Sequence, residues 1–397
     1  MNVLVLNCGS SSAKFAVINA SDGRELASGI AQRLGSAHAS LDWKIEGKKQ
    51  SRDLHRADHD IALRAVVDLL REAKLVEELV GVGHRVVHGG AKFSASMAIT
   101  KEVVDKITEC IPLGPLHNPA NLLGINIAKE LFPALPQVAV FDTAFHQTMP
   151  ERAYLYAVPY EWFVEHEVRR YGFHGTSHRY VSEQAVKRLG LDPNNHTLVT
   201  AHLGNGCSCT AVKNGKSMDT TMGLTPLEGV VMGTRSGSID PSIISHMKEA
   251  LGKTAGEVMD ILNKRSGLLG MSGLSNDMRT LHEAATAGHQ RAALAIDKFC
   301  YSVAKACAGL VVSAGGLDAL VFTGGIGENA TFVRAKIVEL LKFLGMTIDP
   351  AANLVHGRET NGRITVESKP QAVVIPTNEE LMIALDTAEI IEKKPKA

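Results

Sequence analysis

Residues 3–17, VLVLNCGSSSAKFAV, and residues 198–212, LVTAHLGNGCSCTAV, are two versions of one pattern. Each is an apolar run, a polar residue, a glycine turn with small polar residues, and a second apolar run. That is the layout of a β-hairpin with a polar tip. The two superpose without a gap, setting Asn7 against His202, Gly9 against Gly204, Ala16 against Ala211 and Val17 against Val212. One such hairpin is a common accident. Two of them, half of a 397-residue chain apart, point to an internal duplication. A chain of this length also exceeds one ordinary core, so two domains are expected on size alone.

Outward from the hairpins the pattern is α/β. Residues 59–80, HDIALRAVVDLLREAKLVEELV, have helical apolar spacing. A strand then leads into GHRVVHGG (83–90), and QVAVFDTAFH (137–146) reads as a strand ending in Asp142, where α/β folds often place reactive carboxylates. DALVFTGGIGENATFVR (318–334) reads as strand, tight turn and a helix opening near Glu328 and Asn329, whose backbone N–H groups suit a phosphate. QAVVIPTNEE (371–380) is a last strand ending at Glu379 and Glu380 before a closing helix. The expected domains are 1–148 together with 380–397, and 149–379.

Composition narrows the function. Lys plus Arg and Asp plus Glu both number 42, so no basic excess marks a nucleic-acid binder, and aromatics at 5% are too few for base-stacking platforms. No apolar stretch is long enough to span a bilayer, and the first residues lack the pattern of a signal peptide, so no membrane partner is expected. Six cysteines without a CxxC pair fit a reduced, cytoplasmic setting, with Cys207 and Cys209 as small packing residues.

Three glycine clusters after strands raise the question of which phosphate-binding solution they serve. A P-loop needs GxxxxGK[ST]; Gly215-Lys216-Ser217 and Gly252-Lys253-Thr254 carry its tail, but Thr210 and Met247 stand where the first glycine belongs. The dinucleotide fingerprint GxGxxG fails at Cys209 and at Ala330, and protein-kinase signatures are absent. What remains is a duplicated α/β ATPase with two hairpin tips facing across a cleft. Arg85 and Arg235, each in a glycine- or serine-rich loop after a strand, are candidate anion clamps, since a guanidinium grips carboxylate or phosphate oxygens as a fork. Surface exposure is the commoner fate of an arginine. His174 and His178 have the HxxxH spacing of a zinc pair, but Gly175 and the missing acidic partner speak against that.

LNCGSSSAKF, GHRVVHGG, PLHNPAN, VFDTAFHQTMP, RRYGFHGTSHRYV, HLGNGCS, MGTRSGSIDP, SNDMR, FTGGIGEN and IPTNEE follow one another from Asn7 to Glu380. In this order they closely resemble the acetate kinase family, within the superfamily of acetate and sugar kinases, heat-shock ATPases and actin. The resemblance implies two duplicated ribonuclease-H-like, actin-type ATPase domains. It implies transfer of the ATP γ-phosphoryl to acetate, giving acetyl phosphate and ADP, with Mg²⁺ (Mn²⁺ as a substitute), in a homodimer. Propionate or another short-chain acid is the alternative acceptor.

Roles follow position by position from the same resemblance. Arg85 holds the acyl substrate, while Arg235 and His174 stabilise the transferring group. Asp142 is the acid–base or metal-side carboxylate, although it reads equally as a turn cap. Asn7 and Glu379 belong to the metal, although a carboxylate that begins a helix is also commonplace. ATP falls to Lys14, to His202, Leu203, Gly204, Asn205 and Gly206, to Asp277, Met278 and Arg279, and to Gly324, Gly325, Ile326, Gly327 and Glu328. Val87, with Leu116 and Pro226, narrows the acyl pocket. One methylene discriminates by only ~1–3 kcal/mol, so such selectivity is relative.

Overall fold

The computed structural model describes residues 1–367 and 369–393. Its strands are β1 (Asn2–Gly9), β2 (Ser12–Asn19), β3 (Glu25–Gln32), β4 (Ser40–Ile45), β5 (Lys48–Asp53), β6 (Leu79–Val86), β7 (Met97–Ala98) and β8 (Gln137–Phe141), then β9 (Thr197–Leu203), β10 (Cys207–Lys213), β11 (Lys216–Thr220), β12 (Ala319–Thr323) and β13 (Gln371–Val374). The first eight form one sheet in the order β5-β4-β3-β2-β1-β6-β8-β7, and the last five form another, β11-β10-β9-β12-β13. The first sheet belongs to a unit made of Met1–Phe145 and Asn378–Ala397, the second to His146–Thr377. Against the boundary expected at 379/380, Asn378 and Glu379 go with the first unit, because the closing helix starts there and packs on the first sheet.

The duplication extends beyond the hairpins. Strands β3-β2-β1-β6-β8 and β11-β10-β9-β12-β13 have the same order and the same directions: the first three antiparallel to one another, then two parallel neighbours. The gapless superposition, however, breaks at the tips. Gly9 pairs with Ser12 across a two-residue loop, whereas Leu203 pairs with Cys207, leaving Gly204, Asn205 and Gly206 as the loop. Asn7 therefore faces Lys14, but His202 faces Ser208 rather than Cys209. A one-residue slip exchanges the two faces of a strand. Here it brings Ser208 and Thr210 to the face of His202 and Thr200, and leaves Cys207 and Cys209 buried on the other.

Alternation along the first sheet builds two cores. Leu4, Leu6, Phe15 and Val17 pack with Leu63, Val66 and Leu70 of the helix His59–Glu72. Val3, Val5, Ala16, Ile18, Val138 and Val140 pack with Ile383, Ala384 and Ala388 of the closing helix Glu379–Lys393. That helix lies hard against β6: a Cβ on Gly83 would meet Thr387 Oγ1 at 2.5 Å, and one on Gly81 would meet Ile391 at 2.4 Å. Gly81, Gly83 and Arg85 share one face of the strand, so the bare glycines let the first residues of the helix approach the Arg85 side chain.

Four element ends differ from expectation, one of them the last strand, which stops at Val374 rather than running to Glu379. The first helix stops at Glu72, and β6 already begins at Leu79. Strand β8 stops at Phe141, with Asp142 the first residue beyond it. The glycine turn after β12 is itself helical, Gly324–Asn329, starting four residues earlier than the expected opening at Glu328. Two helices, Met278–Thr286 and Gln290–Ala314, precede β12.

Candidate active site

The first unit gathers its charged candidates at the carboxyl ends of the parallel strands β1, β6 and β8, the usual ligand edge of an α/β sheet. Arg85, next to last in β6, donates from Nε to Asp142 Oδ1 at 2.9 Å and from Nη2 to Asp142 Oδ2 at 2.6 Å. Asp142 is pinned in turn, since its N–H donates to the Val86 carbonyl at 3.0 Å. Glu379, the first residue of the closing helix, places a carboxylate oxygen 3.9 Å from Arg85 Nε. Burial alone would pull the Arg85 guanidinium down, but Asp142 and Glu379 more than offset it and hold the charge firmly. Burial raises the Glu379 carboxyl above its usual range; Arg85 and Lys14 oppose this, while Asp142 adds to it. With one edge of the fork on Asp142, Arg85 keeps Nη1 and the second N–H of Nη2 to offer an anion.

The motif PLHNPAN serves the loop after β6. Asn121 Oδ1 accepts from Val87 N at 3.0 Å, and Asn118 Oδ1 accepts from His88 N at 3.1 Å. Val87 is buried beside Arg85, whereas the Leu116 side chain is exposed. Pro226 lies in the second unit, where its carbonyl accepts from Arg235 Nη1 at 2.7 Å. Burial lowers the Arg235 guanidinium. Among the described residues no carboxylate pairs with it, which leaves a desolvated cation for an anionic ligand to satisfy.

His174 caps the helix Gly175–Leu189 in a left-handed conformation (φ 56°), which turns its ring off the helix. Its Nδ1 lies 2.9 Å from Ser208 Oγ, and its ring stacks on His202 at 4.3 Å between centroids. A Cβ built on Gly206 would lie 2.8 Å from Arg235 Nη2 and 3.5 Å from His174 Nε2, so the loop Gly204–Gly206 brings both donors to one spot. Ser177, Ser208 and Thr377 stand behind His174 and His202 and were not singled out from sequence; His178, weighed there only for its zinc spacing, joins them through Ser208. The helical spacing of His174, Ser177 and His178 was the available signal; the register that adds Ser208 was not.

Half of the nucleotide candidates meet in one cavity of the second unit, which His202, Leu203, Gly206, Gly324, Gly327 and Glu328 do not line. Gly204, Asn205, Asp277, Met278, Arg279, Gly325 and Ile326 line one cavity of about 490 Å³, together with Asn276, His282, Asn329, Ala330 and Phe332. The ring of His282 stacks on Phe332 at 3.8 Å, an apolar wall formed by residues that sequence reasoning passed over. Asp277 caps its helix, accepting from Thr280 N at 2.8 Å. Gly324 has φ +76°, and its Cβ would lie 2.8 Å from the Leu203 carbonyl oxygen, so only glycine fits this crossing of the two loops. Glu328 turns back on its own turn, accepting from Gly324 N at 3.0 Å and from Thr377 N at 3.1 Å. The turn therefore presents backbone rather than a carboxylate. Lys14 lies in the first unit, opposite Asn7.

A duplicated α/β fold with glycine loops beside a cavity of nucleotide size is the frame of an ATP-dependent phosphotransferase. The profile of the Acetokinase family matches residues 2–385. The acetate kinase of Chromobacterium violaceum is 52% identical over 389 residues, 98% of each chain. Among solved structures, a propionate kinase from Francisella tularensis superposes with a TM-score of 0.94 at 48% identity, covering 98% of this chain and 99% of that one. Porphyromonas gingivalis acetate kinase superposes at 0.92 with 46% identity and the same coverage. The chain belongs to the acetokinase family, phosphotransferases with a carboxyl group as acceptor. No helix among the described residues is long and apolar enough to cross a membrane.

Proposed function

We propose that this enzyme transfers the γ-phosphoryl of ATP directly and in line to acetate, giving acetyl phosphate and ADP, and the reverse. The observation that carries the acceptor site is the Arg85 fork. Asp142 aligns one edge of the guanidinium, and the other edge offers paired N–H donors that match a small carboxylate. Val87, buried next to it, limits the room for the alkyl end, which favours acetate over propionate. Arg235 and His174 supply N–H donors at the transferring group, whose three oxygens carry the charge. The 490 Å³ cavity receives the nucleotide, with Gly204, Asn205, Asp277, Arg279 and Gly325 near its polar groups and Met278, Ile326 and Phe332 near the base.

The residues present fit Mg²⁺, with Mn²⁺ as a substitute. Asn7 and Glu379 offer hard oxygen donors, and a carboxyl that burial raises is held ionised by a nearby cation. Among the described residues no cluster of three His, Cys, Asp or Glu side chains could hold a metal alone, which suits an ion completed by phosphates and water. The bound ion would neutralise phosphate charge. A cytoplasmic homodimer belongs to the same reading. Light scattering at twice the 42.5 kDa chain mass supports the dimer, and a monomer with full activity removes it. The reaction is tested by assaying ADP formation with acetate, propionate and butyrate. Acetate should give the largest kcat/KM; a higher value for propionate would reverse the assignment of the acceptor.

A further inference from the structure

Arg235 has no helix or strand of its own. Between β11, which ends at Thr220, and the helix Ser242–Leu251, residues 221–241 run as loop. A charged side chain on such a run is placed only as well as its tethers place it. The backbone around Arg235 is tethered by the segment 262–269. Ser266 N donates to the Thr234 carbonyl at 2.9 Å, Leu268 N to the Met232 carbonyl at 2.9 Å, and Leu269 N to the Gly233 carbonyl at 3.0 Å. The guanidinium is a separate matter. Among the described residues its one hydrogen-bond partner is the Pro226 carbonyl, 2.7 Å from Nη1.

The segment around Pro226 is held in turn by three side chains. On one side of the proline, Leu224 N donates to Tyr156 Oη at 2.9 Å. On the other, Glu228 accepts from Tyr156 Oη through Oε2, and from Arg170 Nη2 through Oε1 at 2.8 Å. Arg170 is anchored by donating from Nη1 to the carbonyls of Thr220 and Thr221, where β11 ends. The clamp closes over Gly223, where a Cβ would lie 1.8 Å from Glu228 Oε2 and 2.2 Å from Tyr156 Oη, so a bare Cα makes the room for it. Burial, with Glu228 beside it, pushes the Tyr156 phenol well above its ordinary range, and the hydroxyl keeps its proton to donate. Glu228 also stands at the base of the loop that bears Arg235. Its neighbour Gly229 accepts at the carbonyl from Ser238 N at 2.8 Å and donates from N to Ser238 Oγ at 3.1 Å, closing residues 229–238 on themselves.

We propose that Glu228, held between Tyr156 and Arg170, is a positioning residue that sets the Pro226 carbonyl and through it aims the Arg235 guanidinium. This rests on the role of Arg235 given above. It gives the Pro226 backbone a task separate from any its ring has in the acyl pocket. A clamp that served stability alone would leave the rate of the folded enzyme unchanged. This one sets the place of a reacting group, where an error of 1 Å costs up to about 10²-fold. The tether from residues 262–269 is independent of it, so the fold should outlast its loss.

The test is a double-mutant cycle in the full-length enzyme, with kcat read as ADP formation at saturating ATP and acetate. Tyr156→Phe should lower kcat by about 5-fold and Glu228→Ala by about 10-fold, with KM for ATP unchanged. Glu228→Gln, whose amide still spans Arg170 and Tyr156, should lose less than about 3-fold. In an Arg235→Ala background the same changes should alter kcat by less than about 2-fold, because the group they aim is gone. Equal fold losses in the two backgrounds, or parental kcat in folded Tyr156→Phe, overturn the proposal. Circular dichroism checks each fold. If Glu228→Ala does not fold, Tyr156→Phe, which keeps the Glu228–Arg170 pair, decides alone. Parental turnover in Arg235→Ala would overturn the role of Arg235 itself. A large loss there, without coupling to Tyr156, would overturn the clamp alone.

Discussion

Replacing Gly206 by alanine is a one-atom test of whether His174 and Arg235 act at a common point. The glycine needs no left-handed backbone, so the substitution is allowed where it stands, and the unfolded chain loses freedom to the extent of about 0.4–1 kcal/mol in favour of folding. What the new Cβ meets is Arg235 Nη2 at 2.8 Å and the edge of His174 at 3.5 Å. The histidine contact is ordinary. The arginine contact is not, and the guanidinium must retreat by about 0.6 Å, from 2.8 Å to the 3.4 Å of normal packing. Arg235 is the far end of a flexible side chain, so it moves at little cost to the fold, but its hydrogen bond to the Pro226 carbonyl resists the shift. Misplacing a reacting group by 1 Å costs up to about 10²-fold in rate, so kcat should fall by about 10- to 50-fold. ADP release coupled to acetate phosphorylation measures kcat, and urea unfolding measures stability, expected within about 1 kcal/mol of the parent. Wild-type kcat in a folded Gly206→Ala enzyme would refute the convergence of the two side chains.

Arg85→Ala and Arg235→Ala should each lower kcat by about 10²–10³-fold while circular dichroism stays unchanged; a folded variant with near-parental turnover removes that arginine from the site. Val87→Ala opens the pocket by two methyl groups and should raise propionate over acetate in kcat/KM by about 10-fold, which a competition assay reads directly. Arg334, fully buried, donates to the carbonyls of Gly327, Glu328 and Asn353 and to Asn353 Oδ1. Its replacement by Met should cost about 3 kcal/mol in urea unfolding and weaken ATP binding through the turn it supports, and a neutral outcome would deny it that role. Burial pushes the His84 pKa down to about 4, so the folded chain keeps this ring neutral while the unfolded chain takes up a proton near 6.5. Stability should therefore be full above about pH 6.5 and fall towards pH 4, by at most ~3 kcal/mol from this residue. The pH slope of unfolding should flatten in His84→Leu, whatever its absolute stability.

The sequence by itself determined the α/β class, the duplication and the glycine turns that follow the strands, because these rest on local physics. A period of two marks strands, and glycine marks a tight turn or a close crossing such as Gly324 against Leu203. Arg85, Asp142 and Glu379 were also visible, each at the end of an apolar run. That Asp142 takes both of its oxygens to Arg85, and that Glu379 comes from the last helix to join them, was not visible. Those contacts span the chain and depend on how closely the helix Glu379–Lys393 packs on Gly81 and Gly83. The hairpin tips show the limit most sharply. The two sequences align without a gap, yet the loops differ by one residue, and that single step puts Ser208 rather than Cys209 opposite His202. Strand register is set by the turn and by the sheet on either side. The partners of His174 and His178 were therefore decided only in the tertiary structure.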